Sequence, residues 1–127
     1  LEENMRIKDI EVNFSFTDAD DIERFENEAR KVEEKAKNYE KKEISVSEAI
    51  REECNVIEEF FDNVFEKGIS QKLFKGKKDI AEHINLFQDI VNAKLEQTKG
   101  LQNIYDNLDR YMPNREKRRY NNRKGKR

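Results

Sequence analysis

This chain of 127 residues contains one cysteine, one histidine, one proline and four glycines, and each scarcity excludes something. Cys54 alone cannot close an intrachain disulfide, and its place in a helical pattern makes it a small buried hydrophobe rather than a reactive thiol. His83 has no second histidine or cysteine on its helix face, so a metal site lacks ligands and the ring is expected to face solvent. The glycines never fall in a phosphate-cradling arrangement, which removes nucleotide loops, and no cofactor is expected. No stretch approaches the roughly 18 apolar residues of a membrane span, and no apolar leader opens the chain. The expectation is a soluble cytoplasmic protein with no membrane contact. Met5 is read as the native start, leaving Leu1–Asn4 outside the fold argument.

Charge is what the chain has in abundance. Charged residues make up 43%, against about 25% in an ordinary globular domain. Leu, Ile, Val and Phe still number 31, enough for a core but a thin one. Helices with one apolar stripe use such a composition best. The charge is also segregated. Residues 113–127 hold eight Lys/Arg against one Glu, +7; the whole chain is −2, so residues 1–112 carry −9. Pro113 ends any helix before it, and apolar anchors are nearly absent after Met112. The expected organisation is a helical domain over 5–112 and a disordered basic tail over 113–127.

Residues 6–16 alternate, with Ile10, Val12, Phe14 and Phe16 on one face and Glu11, Asn13 and Ser15 on the other. This predicts one strand, paired with Ile44–Val46 or with a second copy, because an unpartnered ladder is unstable. Thr17 is the predicted N-cap of a first helix whose apolar positions Ile22, Phe25, Ala29, Val32, Ala36 and Tyr39 form a heptad seam. The seam suits packing on its own domain or an intermolecular coil, and Glu26–Arg30 and Glu33–Lys37 are candidate ion pairs. Ser45 or Ser47 caps a second helix carrying Ile50, Cys54, Ile57, Phe61, Val64 and Phe65, broadened by Val56 and Phe60, as the centre of the core. Gly68 is the predicted left-handed stop of that helix, and Ile69–Phe74 a short helical turn before Gly76. Asp79 caps a last helix with a stripe through Ile80, Ile84, Phe87, Val91, Leu95, Leu101, Ile104, Leu108 and Met112. About 33 residues at 1.5 Å each make roughly 50 Å, longer than a three-helix domain covers, so the part after Gly100 should pack on something outside the domain. The fold class is thus mainly α, an N-terminal strand followed by three principal helices and a basic tail.

No catalytic constellation emerges, and the chain is read as a non-enzyme. The pairs Asp20-Asp21, Glu52-Glu53 and Glu58-Glu59 point about 100° apart on their helices and read as solvated faces. The tail residues Arg115, Lys117, Arg118, Arg119, Arg123, Lys124, Lys126 and Arg127, with Tyr111 and Tyr120 interleaved, offer phosphate contact and base stacking. Against nucleic acid stands the body's −9; docking on an acidic partner face is the competing use.

The segment Ser47-Glu-Ala-Ile-Arg-Glu-Glu-Cys-Asn-Val-Ile-Glu-Glu-Phe-Phe-Asp-Asn-Val-Phe-Glu-Lys-Gly-Ile-Ser70, with Lys72-Leu-Phe74, a later spaced aromatic at Phe87 and the Asn114-Arg-x-x-Arg-Arg end, resembles the tail assembly chaperones of Gram-positive phages and prophages. The resemblance implies a mainly helical protein that coats a tape-measure protein in the host cytoplasm until tail-tube subunits polymerise around it. It departs from the group at Glu66, where a glycine is usual, and in its strongly basic end. A holdase of this kind needs an apolar groove, for which Phe60, Phe61, Phe65, Phe74 and Phe87 are the candidates. The competing reading places at least three of the five in the domain's own core. A homo-oligomer through the N-terminal strand or the helix seam is a further expectation, and a nucleic-acid-binding or packaging accessory protein is the alternative function.

Overall fold

A computed structural model describes residues 5–39 and 43–110. It is mainly helical: β1 (Met5–Ile7), β2 (Ile10–Val12), α1 (Ala19–Tyr39), α2 (Val46–Val64), α3 (Ile69–Phe74) and α4 (Ile80–Arg110). Residues 6–16 are not one strand. The chain turns back at Lys8-Asp9, and β1 pairs antiparallel with β2 in the register Met5 with Val12, Arg6 with Glu11 and Ile7 with Ile10. The ladder partner is local, so neither Ile44–Val46 nor a second copy is needed to complete it. Ser45 and Val46 instead begin α2. The alternation still sets burial, because Val12, Phe14 and Phe16 all turn into the core while Glu11 and Asn13 face out.

The turn lacks the glycine that tight hairpins favour. Lys8 takes φ 55°, a conformation costly for a residue with a Cβ. Its side chain offsets that cost by donating from Nζ to the Leu73 carbonyl at 2.6 Å, one of the free acceptors ending α3, while lying over the Phe74 ring. The other end of α3 is served from α2. Gly68 has no capping side chain, and Asp62 accepts instead from the Ser70 amide (2.8 Å) and hydroxyl (3.0 Å). Gly68 is left-handed as expected, at φ 85°, yet it opens α3; α2 has already ended at Val64.

Local capping explains the remaining helix starts. Asp18, not Thr17, caps α1, accepting from the Asp21 amide at 3.0 Å, while Thr17 is held in a turn with Ser15. Ser45 prevails over Ser47 at α2, accepting from the Glu48 amide at 3.2 Å. Asp79 caps α4 through the Glu82 amide at 3.0 Å. Each such cap contributes about 1 kcal/mol.

The core is built from phenylalanine. All eight phenylalanines join one chain of ring contacts, mostly edge-to-face, running from Phe16 through Phe14, Phe25 and Phe60 to Phe61, Phe65, Phe74 and Phe87. Such pairs contribute about 0.5–1.5 kcal/mol beyond area burial, and the buried aliphatics Ile7, Val12, Ile57, Val64, Ile69, Leu73 and Ile90 pack around them. α1 lies on α2 with Phe25 buried and Ala29 and Val32 half-buried, so its seam serves its own domain. Glu26 reaches Lys94 of α4 at 3.6 Å rather than Arg30, whose guanidinium donates to Asn27.

Candidate partner-binding site

The helix α4 packs inward through part of its predicted apolar stripe. Ile80, Phe87 and Val91 are half-buried against the core, but His83 and Ile90 are the buried residues, and Ile84 and Leu95 of the stripe are exposed. The inward row of 80, 83, 87 and 90 shares positions 80 and 87 with the stripe and is offset from it at 83 and 90.

His83 explains the offset. Its ring is 0% exposed and stacked on Phe74, with centroids 3.7 Å apart. Nδ1 lies 2.7 Å from the Asp79 carbonyl oxygen, which can only accept, so Nδ1 carries a proton. Nε2 lies 2.8 Å from Oε2 of Glu58. Glu58 is itself buried, not part of a solvated acidic face, and Lys78 Nζ donates to both of its oxygens at 2.8 and 2.9 Å. Lys78 also reaches Asn55 at 2.9 Å. A fully satisfied polar network therefore ties α2 to the start of α4. Its inner end, His83 and Glu58, is buried, and Lys78 with the exposed Asn55 closes it at the surface. Cys54, buried beside it, has its thiol pushed up by burial and then by the Glu58 carboxylate, and is a poor nucleophile.

Beside this row, on the flank of α4 that carries Ile84, lies an apolar cleft. Val32 and Ala36 of α1, Val56 and Ile57 of α2, and Ile84 and Phe87 of α4 enclose about 220 Å³, with Glu53 as the one charged wall. Of the five predicted groove residues, Phe60, Phe61 and Phe74 are buried core, exposed by 2% or less. Phe65 and Phe87 are half-buried against that core, and only Phe87 lines this cleft. Val32, Ala36, Val56, Ile57 and Ile84 are wall residues that the sequence assigned to stripes but not to a groove.

Beyond Lys94, α4 leaves the bundle. Ala93 is the last of its residues packed on the core, and Ile104, Tyr105 and Leu108 are each more than half exposed. The helix runs unbroken through Gly100. The predicted tail residues, from Arg115 to Arg127, lie outside the described residues, as do Tyr111 and Met112.

Residues 8–122 match a family of unknown function, DUF6673. The chain belongs to that family. Neither a curated protein nor a solved structure matches it. The DUF6673 region begins at the strained turn residue Lys8, takes in every helix, and extends through Asn122. It therefore includes the cleft, the His83 network, the projecting end of α4 and much of the basic segment. No described helix of this DUF6673 protein is long and apolar enough to cross a membrane.

Proposed function

We propose that this protein is a non-enzymatic tail assembly chaperone that holds an amphipathic helix of a tape-measure-type partner in the cleft between α1, α2 and α4. The observation that carries the reading is the cleft itself, solvent-open, walled by aliphatic and aromatic side chains from three helices, with one charged wall residue. Its volume of about 220 Å³ accepts two or three aliphatic side chains, the anchors that an amphipathic helix presents at i, i+3 and i+4. The rigid His83–Glu58–Lys78 network preorganises one wall, since it fixes α4 against α2. A chain with 43% charged residues keeps a complex with an apolar client in solution. The sequence resemblance to phage tail assembly chaperones supplies the kind of client.

Co-expression tests this. A long coil-rich protein of the tape-measure kind is produced alone, with the wild-type chain, and with Ile84→Asp or Val56→Asp. Ile84 and Val56 are both incompletely buried, so the folded body should survive, which circular dichroism melting checks. The client should be soluble with the wild type and insoluble with either variant. A client that stays soluble with both variants contradicts the proposal. The second reading, nucleic-acid binding, rests on the +7 segment and requires that these variants leave DNA or RNA binding intact.

A further inference from the structure

We propose that a helix of the client completes the bundle in the groove between α1 and α4, and that Glu53 requires this helix to carry a lysine or arginine beside its apolar face. This rests on the client reading and names the chemistry by which the client is chosen.

The shape of the groove suits a helix. α1 and α4 both pack on α2 but hardly touch each other. Ala36 of α1 and Ile84 of α4 line one end of the space between them, over Val56 and Ile57 of α2. Ala29 and Val91 line the other end, where Glu26 reaches Lys94. Phe87 borders both parts, so they meet at its ring. From Phe25 to Ala36 the wall of α1 runs about 17 Å at 1.5 Å per residue, three turns of a partner helix. The small side chains of Ala29 and Ala36 let that helix approach to the usual axial spacing of about 8–10 Å.

Charge decides which helix. Glu53 stands one turn before Val56 and Ile57 on α2, so it shares their face, and it is half-buried. Among the described residues it has no hydrogen bond or ion pair. Lys94 is held by Glu26 at 3.6 Å and Lys35 by Glu59 at 3.2 Å. Glu33 and Lys94 border the far end of the groove together and offset one another, whereas the apolar end has the Glu53 carboxylate and no cation. A helix laid over that end strips water from the carboxylate. A cation on the helix replaces the lost hydration; an acidic helix adds repulsion, which rejects the wrong partner.

The uncovered helix face of the chain itself does not meet this requirement. Ile104, Tyr105 and Leu108 are more than half exposed, but residues 100–109 contain Asp106 and Asp109 and no lysine or arginine. A second copy seated in the groove by that face would set carboxylate against carboxylate.

Fluorescence anisotropy of the full chain with two labelled synthetic helical peptides tests the proposal. The peptides share one leucine face, at i, i+3, i+4 and i+7, and differ only in carrying lysine or glutamate beside it. The wild type should bind the lysine peptide at least fivefold more tightly than the glutamate peptide. Glu53→Gln should bring that preference under twofold and Glu53→Lys should reverse it, with circular dichroism melting checking that both variants fold. Glu33→Gln, which removes the same charge from the balanced end, should keep the preference. Ile84→Asp should lose both peptides. Equal binding of the two peptides, abolished by Ile84→Asp, overturns the role of Glu53 and leaves the client reading standing. A preference lost equally in Glu33→Gln belongs to overall charge and also overturns it. If neither peptide binds, or both bind Ile84→Asp as they bind the wild type, the groove takes no such helix and the proposal fails, while the co-expression above decides the client reading separately. Self-association of the wild type in ultracentrifugation that Ile84→Asp abolishes would give the groove to a second copy and overturn the proposed occupant.

Discussion

Phe61 stands at the centre of the ring chain, fully buried between Phe60, Phe65 and Phe74. Phe61→Ala should cost roughly 3–5 kcal/mol of unfolding free energy, measurable by urea titration, which is much of the stability of a small domain. His83→Leu keeps most of the volume but removes one partner of a buried carboxylate. It should destabilise by about 1–3 kcal/mol by leaving buried acceptors without their donor, although Lys78 still pairs the carboxylate, and the loss should be non-additive with that of Glu58→Gln because the two share one hydrogen bond. Equal and additive losses would mean the two side chains act independently. Glu28 gives a pH signature. Burial pushes its carboxyl up, but hydrogen bonds from Lys31 and Asn63 and the charges of Lys31 and Lys35 outweigh that and hold it below its ordinary value. Its contribution to stability is therefore complete above the ordinary value of 4.5 and is lost as pH falls through the lowered folded value. Denaturant titrations of Glu28→Gln and the wild type should differ at pH 6 and converge at pH 2–3.

At the scale of elements, what could be read in the sequence was what neighbours in sequence decide. The Ser45 and Asp79 caps and the core stripe of α2 depend on residues within a turn of one another, and the glycines at 68 and 76 bracket α3. The inward face of α4 did not. Ile84 fits an apolar stripe as well as His83 does, and only Glu58, 25 residues away, makes the histidine the buried one. The groove differed for a related reason: Phe60, Phe61 and Phe74 are covered by rings from distant parts of the chain, Phe25, Phe87 and each other, and Phe87 alone of the five reaches the cleft. The hairpin at Lys8-Asp9 was hidden because its support, the Leu73 carbonyl, lies 65 residues away. That turn is testable through two variants. Lys8→Ala keeps the strained backbone and loses the hydrogen bond, whereas Lys8→Gly loses the bond but relieves the strain. Lys8→Gly should therefore be more stable than Lys8→Ala by about 1 kcal/mol, and equal melting of the two would contradict the account of the turn.

At the scale of the molecule, the structure offers an apolar cleft across α1, α2 and α4 and a projecting apolar helix end, and the sequence continues into a basic segment. The central claim is that the cleft, not the basic segment, carries partner binding. Apolar contact and phosphate-like charge contact differ most in their response to salt, because hydrophobic burial is nearly indifferent to ionic strength while each neutralised phosphate contributes roughly 0.7–0.9 to the log–log salt slope. The most direct measurement is the affinity of the full chain for a fluorescently labelled tape-measure helix, by anisotropy, from 50 to 500 mM salt, repeated with Ile84→Asp and with the chain ending at Met112. The account predicts less than a threefold change with salt, survival of binding in the shortened chain, and at least a tenfold loss in Ile84→Asp. Binding that falls steeply with salt, disappears with the basic segment and ignores Ile84→Asp would contradict it.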